Sequence, residues 1–186
     1  MRVISGSARG RRLFSPTNAK IRPTADRVKE ALFSILSGLV EFSGCRVLDV
    51  FAGTGNLGIE ALSRGAAEAV FIDNHHESVA LVKKNLALVG FESRGCVMVQ
   101  DALSALKHLE TRGGRFDLVF LDPPYAQGLA EKVLHQLSGS PLLHSGSVVV
   151  VEISGREEVG AAFDQLVVFD RRVYGDTALL FLSLRD

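Results

Sequence analysis

The sequence contains few cysteines, no long apolar run and no net excess of positive or negative charge. Its two cysteines, Cys45 and Cys96, are far apart and have no C-x-x-C spacing, which argues against a disulfide framework and a zinc site. No apolar stretch approaches the roughly 20 residues of a membrane-spanning helix. The N-terminus lacks the apolar segment of a secretory signal peptide, so we expect a cytoplasmic protein with no membrane partner.

The 186 residues, 47% of them apolar, are enough for one globular domain with a substantial core. The net charge of zero conceals an asymmetry, because residues 1–29 carry a charge of +7 and the remainder carries −7. Apolar residues at strand-like spacing in the basic part predict a short β-hairpin with a basic tip. We expect a basic extension over residues 1–22 that contacts a polyanion and a main domain over residues 23–186. A solvated tail is the alternative for the extension.

Strand-like and helix-like segments alternate along the chain until a final hairpin. The strand-like segments are continuous apolar runs, as at Ser147–Ile153, and this is typical of a parallel sheet covered by helices on both faces. We therefore predict an α/β fold with a mostly parallel, seven-stranded sheet and an antiparallel C-terminal strand. A short helix is expected near Glu157–Phe163, followed by strands at Leu166–Tyr174 and Thr177–Leu184.

A buried strand, a glycine turn and the start of a helix are predicted at residues 47–58. Gly53, Gly55 and Gly58 have the G-x-G-x-x-G spacing of a nucleotide-binding turn. Glycine permits the tight turn, and the N-terminus of the following helix offers N–H groups and partial positive charge to an anionic group. The spacing alone leaves open whether that group is a pyrophosphate or a carboxylate.

Acidic residues lie at or just after the ends of four predicted strands, at Asp49, Asp73, Asp101 and Asp122. Ligands of such sheets bind at the carboxyl ends of the strands, so we expect these acids to surround one site. A nicotinamide dinucleotide is one candidate, because Asp73 follows Gly53 by 20 positions, near the place of a ribose-binding acid. Asp49 argues against it, since a carboxylate just ahead of the glycines would repel a pyrophosphate.

S-adenosylmethionine accounts for all of these residues, because its methionine end carries both a carboxylate and an ammonium group. Backbone N–H groups around Gly53 suit the carboxylate, and Asp49 suits the ammonium. Asp73 can accept hydrogen bonds from the ribose hydroxyls and Asp101 from the adenine amino group, with the Ala102 N–H near a ring nitrogen. The predicted cofactor-binding residues are Asp49, Phe51, Ala52, Gly53, Thr54, Gly55, Leu57, Gly58, Asp73, Asn74, Asp101 and Ala102.

The stretch Asp122-Pro123-Pro124-Tyr125 indicates the class of methyl acceptor. The amino group of a nucleobase is a poor nucleophile, because its lone pair is delocalised into the ring. The Asp122 carboxylate and the Pro123 carbonyl can accept its two N–H bonds, while the prolines fix the direction of that carbonyl. Tyr125 offers a face on which a flipped base can stack. These four residues are the predicted catalytic residues, and a rigid turn with a surface tyrosine is the alternative.

Three segments, Arg22–Arg27, Leu48–Gly55 and Asp122–Tyr125, resemble the bacterial RsmD-type methyltransferases, and the similarity runs nearly end to end. The resemblance implies a Rossmann-like class I fold that uses S-adenosylmethionine. It also implies methylation of the guanine N2 amine in small-subunit (16S) ribosomal RNA, either free or in the assembling subunit. By the same resemblance, RNA contacts are expected from Arg9, Arg11, Arg12, Arg22, Thr24 and Arg27.

Other functions stay open from sequence. An adenine-N6 methyltransferase of DNA or RNA would use the same tetrapeptide, but such enzymes usually carry a target-recognition region for which this chain has no spare segment. A non-catalytic RNA-binding module would not need the four acids, and a nicotinamide oxidoreductase is the least favoured alternative. We expect a monomer without metal. Deleting residues 1–15 is expected to weaken RNA binding without changing cofactor affinity.

Overall fold

The computed structural model describes residues 1–16, 23–124, 128–157 and 159–185, with the backbone alone at 23–25. The helices are α1 (Pro23–Leu36), α2 (Asn56–Ser63), α3 (His76–Val89), α4 (Ala102–Thr111) and α5 (Leu129–Ser138). The strands are β1 (Arg46–Val50), β2 (Glu68–Asp73), β3 (Gly95–Val99), β4 (Leu118–Leu121), β5 (Val148–Ser154), β6 (Ala162–Phe163), β7 (Leu166–Tyr174) and β8 (Thr177–Leu184). No helix in these ranges is long and apolar enough to span a membrane.

The strands form one sheet in the order β3-β2-β1-β4-β5-β8-β7-β6. The first five strands of this order, β3, β2, β1, β4 and β5, are parallel to one another. The remaining neighbours, β5 with β8, β8 with β7 and β7 with β6, are antiparallel. The chain runs outward from β1 to β3 and then returns to the other side of β1 for β4 and β5. A ligand cleft is expected at this reversal between β1 and β4, beyond the carboxyl ends of the strands.

Helices cover both faces of the sheet, which confirms the predicted α/β arrangement. The core between the sheet and helices α1, α2 and α3 contains Val47, Phe120 and Val150. The residues that follow these along each strand belong to the core on the other face, under α4 and α5. Successive strand residues point to opposite faces of the sheet, so residues two positions apart point to the same face. Asp49, Asp122 and Glu152, two positions after these three residues, therefore also point toward α1. This alternation directs Asp49, near the end of β1, and Asp122, just after β4, to one face of the sheet.

The helix predicted near Glu157–Phe163 is wrong, and the described residues form a sheet of eight strands where seven were predicted. Ala162 and Phe163 form the short strand β6, which pairs antiparallel with β7. Phe163 is buried against the ring of His135, with 5.1 Å between ring centroids, and its carbonyl accepts a hydrogen bond from the Ser138 hydroxyl. These contacts hold the side chain and the backbone of Phe163 on α5. They favour the strand over the helix that the weak sequence pattern of Glu157–Phe163 predicted.

Residues 1–16 form a hairpin-like turn that is docked on the domain. A bridge joins Arg2 to Arg12, and the Val3 N–H donates to the Arg11 carbonyl at 2.9 Å. Val3 and Leu13 are buried in the same core as α1 and α2. The segment therefore belongs to the packed structure, and its basic side chains project from a fixed base.

Cys45 is buried, whereas Cys96 is exposed. Cys96 lies on β3, the edge strand of the sheet, where one side has no neighbouring strand among the described residues. Burial raises the pKa of the Cys45 thiol to about 12, so this thiol stays protonated and acts as a small apolar group.

Candidate active site

A cleft of about 410 Å³ lies between helix α1 and the carboxyl ends of β1, β4 and β5. It is lined by six of the twelve residues predicted to hold a methyl donor and by the acid predicted to hold the acceptor. The predicted residues that line it are Asp49, Phe51, Ala52, Gly53, Thr54, Leu57 and Asp122. The cleft therefore brings predicted donor-binding residues and the predicted acceptor-binding acid together.

Asp49 is the most deeply buried acid of the cleft, with 2% of the residue exposed. Its Oδ2 accepts a hydrogen bond from the Gly58 N–H at 2.9 Å, at the start of α2. Burial raises the pKa of Asp49 to about 7, and the charge of Asp73 adds to the rise, although the Gly58 hydrogen bond opposes it. A buried carboxylate without a compensating cation favours a ligand that carries positive charge.

The turn between β1 and α2 has the left-handed backbone that its glycines permit. Gly53 and Gly55 have φ values of 55° and 76°, and Phe51 has a φ of 65°, which is unusual for a residue with a side chain. The Phe51 conformation places local strain at the mouth of the cleft, where such strain is often found in functional sites.

Gly58 is required for a different reason, the close packing of α2 on the sheet. A Cβ atom at this position would lie 2.4 Å from Cε1 of Phe71 and 3.1 Å from Oδ2 of Asp49. Contacts of this length force the helix, the ring or the carboxylate to move. The third glycine of the motif therefore sets the distance between α2 and the acid at the end of β1.

We predict that Gly58→Ala destabilises the protein by about 2 kcal/mol, which lowers Tm by roughly 5 °C, because the added methyl group overpacks the contact with Phe71. Gly139→Ala is the matched control, since a Cβ atom at Gly139 would meet nothing within 4 Å. Thermal unfolding of the two variants measures the difference. Equal Tm values would contradict the packing argument.

Asp73, at the end of β2, holds the glycine turn in the structure. Its Oδ2 accepts from the Gly53 N–H at 2.9 Å, and its Oδ1 accepts from the His75 N–H at 2.9 Å. The Gly53 N–H, which was predicted to bind the methionine carboxylate, thus already donates its hydrogen bond to Asp73. Asn74 is exposed beside Asp73.

Asp101 and Ala102 lie at the end of β3, on the far side of β2 from the cleft. Asp101 caps α4 by accepting from the Ser104 N–H at 3.0 Å, and hydrogen bonds from the Ser104 side chain and N–H hold its pKa below the usual range. Six predicted cofactor residues therefore do not line the cleft itself, namely Gly55, Gly58, Asp73, Asn74, Asp101 and Ala102.

Asp122 follows β4 and lines the cleft, while Pro123 is buried beneath it and Pro124 is exposed. Tyr125 lies outside the described residues. Asp122 is exposed to solvent as a residue, but protein atoms crowd its carboxyl group and reduce its hydration. This partial loss of water, and then the charges of Glu152 and Asp49, raise the pKa of Asp122 above its usual range. The elevated pKa is typical of groups that exchange protons with a substrate.

Sequence reasoning missed Lys29, whose ammonium group is buried at the base of the cleft. It donates to the Arg2 carbonyl at 2.6 Å and to Asn56 Oδ1 at 2.7 Å, and it pairs with Glu60 at 3.3 Å. Glu60 is itself fully buried and also pairs with Arg64 at 2.9 Å. Loss of water lowers the pKa of Lys29, although the Glu60 charge opposes the shift. These contacts join α1, α2 and the N-terminal segment.

Glu152 was also missed, although it lines the cleft from the last parallel strand, β5. The signal was present in the sequence as a single acid within the apolar strand Val148–Ser154. Asp176 and Thr177, at the tip of the final hairpin, complete this side of the cleft.

Of the predicted RNA-binding residues, Arg9, Arg11, Arg12 and Arg27 are exposed. None of these four forms an ion pair within the part of the chain that the structure describes. Arg22 and the side chain of Thr24 lie outside that part. The three arginines of the hairpin thus lie on one short exposed turn and are available to phosphate groups.

The N-terminal segment also touches the glycine turn, which changes the deletion experiment suggested by the sequence. The Thr54 hydroxyl donates to the sulfur of Met1 at 3.7 Å. The buried Asn85 side chain donates to the carbonyls of Phe14 at 3.1 Å and Thr54 at 2.9 Å. Deleting residues 1–15 would expose Lys29 and loosen this turn, so the expectation of unchanged cofactor affinity is withdrawn.

No group of three or more His, Cys, Asp or Glu side chains in the described ranges is arranged to hold a metal ion. The acids that line the cleft, Asp49, Asp122, Glu152 and Asp176, come from separate strands and turns.

Comparisons with known proteins identify the family. A family model described as Conserved hypothetical protein 95 matches residues 1–183. The Escherichia coli K12 protein named Ribosomal RNA small subunit methyltransferase D is 38% identical over 152 residues, which cover 82% of this chain and 74% of that protein. YlbH of Bacillus subtilis is 36% identical over 185 residues, with both chains covered completely. A solved structure from Thermus thermophilus has a TM-score of 0.84 and 32% identity, with 99% of each chain covered. The chain therefore belongs to the family of RsmD-type ribosomal RNA methyltransferases and has their Rossmann-like class I fold.

Proposed function

We propose that this protein transfers a methyl group from S-adenosylmethionine to the N2 amine of a guanine in small-subunit ribosomal RNA. The observation that carries the proposal is the placement of Asp49 and Asp122 on one face of the sheet, in one cleft. The relatives named as small-subunit rRNA methyltransferases support the reaction class and the RNA substrate.

The charge of the cleft fits a cationic cofactor. Asp49, Asp122, Glu152 and Asp176 line it, and the charge of Lys29 is already matched by Glu60. S-adenosylmethionine, when bound, supplies a methyl group made electrophilic by a sulfonium. Its sulfonium and ammonium charges would lower the cost of the buried carboxylates, whereas the pyrophosphate of a nicotinamide dinucleotide would increase it.

Asp49 would hold the ammonium group, because its carboxylate faces the cleft and its Oδ2 makes a hydrogen bond to Gly58 within the described chain. The other oxygen, Oδ1, is then the acceptor for the ligand. The neighbouring turn would orient the rest of the methionine end. A cofactor held in this way would have its methyl group on the side of the cleft next to β4 and Asp122.

Asp122 would orient the acceptor amine and take its proton. Its carboxylate and the Pro123 carbonyl accept the two N2–H bonds, which turns the nitrogen lone pair toward the methyl group. Methyl transfer would leave the amine nitrogen positively charged, and Asp122 would receive the proton that this nitrogen then loses. The raised pKa of Asp122 suits its carboxylate to receive that proton. Alignment of donor and acceptor in one cleft supplies the remaining acceleration.

The test is methyl transfer from labelled S-adenosylmethionine to small ribosomal subunits and to naked 16S rRNA, both from a strain that lacks this protein. Digestion to nucleosides is expected to show label in N2-methylguanosine. Label in N6-methyladenosine would support the adenine alternative and contradict the proposal.

We predict that replacing Arg9, Arg11 and Arg12 with glutamine weakens RNA binding about tenfold at moderate salt and lowers the slope of log K against log salt by about 2. The reason is the loss of phosphate contacts by three exposed arginines. Calorimetry with S-adenosylhomocysteine should show unchanged cofactor affinity.

The control for this variant replaces three exposed basic residues, Lys107, Arg112 and Arg115, on and after α4, with glutamine. This second variant has the same change in net charge. If both variants lose RNA affinity equally, the hairpin is not a specific RNA contact.

A further inference from the structure

Glu152 lies directly beside Asp122 on the neighbouring strand. Leu121 of β4 is in register with Val151 of β5, so the residues that follow each of them are also neighbours. Asp122 lies two positions after Phe120 and Glu152 two positions after Val150, and both of these residues belong to the core under α1. The two acids therefore point to the same face of the sheet, and both line the cleft. Adjacent parallel strands are about 4.8 Å apart, which places the two carboxyl groups side by side.

The position of Glu152 is unfavourable for an acid unless a ligand occupies the cleft. The residue is partly buried in an apolar strand, and its carboxyl group has no hydrogen-bond or ion-pair partner among the described residues. Loss of water raises its pKa. A polar group in such surroundings is expected to have a partner, and the cleft is the open side from which one can come.

The strand order assigns Glu152 to the acceptor and not to the methyl donor. β4 lies between β1, which carries Asp49, and β5, which carries Glu152. Asp122 therefore separates the cofactor end of the cleft from Glu152. A base whose amine lies at Asp122 extends its ring toward β5.

We propose that Glu152 selects guanine by accepting a hydrogen bond from N1–H of the base whose N2 amine lies at Asp122, an inference that rests on the proposed function. Guanine carries two adjacent donors, N1–H and the N2 amine, and these match two adjacent carboxylates. Adenine carries an N1 acceptor beside its N6 amine, so its N1 lone pair would face the Glu152 carboxylate. Recognition thus combines an attraction for guanine with a repulsion against adenine.

The test compares guanine with 2,6-diaminopurine at the nucleotide that the wild-type protein methylates, in small subunits reconstituted with site-substituted 16S rRNA. Diaminopurine keeps the 2-amino group but has an N1 acceptor. We expect wild-type kcat/KM to be about 100-fold lower on diaminopurine, because a site built around a hydrogen-bond donor rejects its replacement. Equal values for the two bases would overturn the inference without any variant.

Glu152→Gln supplies the second measurement, because its amide can donate a hydrogen bond to N1. We expect kcat/KM on guanine to fall at least tenfold. We also expect the ratio of kcat/KM on guanine to kcat/KM on diaminopurine to fall at least tenfold. Affinity for S-adenosylhomocysteine should stay within threefold of wild type. Glu131→Gln, at an exposed position on α5, is the control and should change none of these values.

The outcomes separate the two proposals. An unchanged base preference in Glu152→Gln, or a parallel loss of cofactor affinity, would overturn the role of Glu152 and leave the proposed function intact. A wild-type protein that forms no N2-methylguanosine would instead overturn the proposed function. If Glu152→Gln does not fold, the comparison of the two bases with wild-type protein decides the question.

Discussion

Asp122→Ala is expected to lower the rate of methyl transfer by about 10³-fold while leaving the Kd of S-adenosylhomocysteine within threefold of wild type. The variant removes the group that accepts an N–H bond of the amine and receives its proton. It leaves Asp49 and the glycine turn unchanged, so the cofactor end of the cleft is preserved. Single-turnover methyl transfer measures the first quantity, and calorimetry measures the second.

The control for this result is Glu131→Ala, which removes an exposed acid on the opposite face of the sheet and should leave the transfer rate unchanged. The pH dependence gives an independent check. Because only the ionised Asp122 can receive the proton of the amine, wild-type kcat/KM should rise with pH through the raised pKa of this group. Near-normal turnover in Asp122→Ala would remove Asp122 from the chemistry.

Asp49→Asn is expected to weaken cofactor binding by roughly 100-fold, because the ammonium group loses a buried, charged partner. Wild-type affinity should itself increase as pH rises through about 7, the pKa to which burial raises Asp49. Below that pH the cofactor must displace a proton to pair with the carboxylate. In Asp49→Asn the affinity should be nearly independent of pH in this range. Calorimetry in buffers of different ionisation enthalpy measures the proton release.

The same residue gives a prediction for stability in the absence of cofactor. The pKa of Asp49 is higher in the folded state than in the unfolded chain, so the protonated form favours folding. Its contribution is fully present below the ordinary pKa of aspartate, near 4, and is lost as pH rises through about 7. The Tm of Asp49→Asn relative to wild type should therefore be higher at pH 8.5 than at pH 5.5. A constant difference would contradict the burial of an uncompensated charge.

Much of the site was predictable because it depends on local patterns. Asp49 lies near the end of one apolar strand of the parallel sheet and Asp122 follows another, and the alternation of side chains along strands directs both to the same face. The hairpin strands at Leu166–Tyr174 and Thr177–Leu184 were predicted with the bounds that the structure shows, because Gly175-Asp176 marks a tight turn between two apolar runs.

The missed residues depend on contacts between distant parts of the chain. Lys29 and Glu60 are buried because they neutralise each other across α1 and α2, and neither helix alone shows that pairing. Glu152 becomes a neighbour of Asp122 only through the register of β4 and β5. The error at Glu157–Phe163 has the same origin, since β6 exists through its pairing with β7 and the burial of Phe163 on α5.

The packing of the N-terminal segment against the domain likewise could not be predicted from the local sequence pattern. Its charge predicted a polyanion contact, but the carboxylate of Glu60 that accepts from the Ile4 and Ser5 N–H groups lies 56 and 55 positions away in the chain. The basic hairpin is therefore coupled to the same buried pair that forms the base of the cleft. Substituting its arginines, and not removing the segment, is the experiment that isolates its charge.

The central claim, that the Asp122 cleft methylates N2 of a guanine, is tested most directly in the 16S rRNA of cells that lack this protein. Mass spectrometry of rRNA fragments should show one guanine without its N2-methyl group. The wild-type gene should restore that methyl group, and a gene encoding Asp122→Ala, expressed to the same level as folded protein, should not. Full methylation of the rRNA in the deletion strain, or full restoration by Asp122→Ala, would contradict the claim.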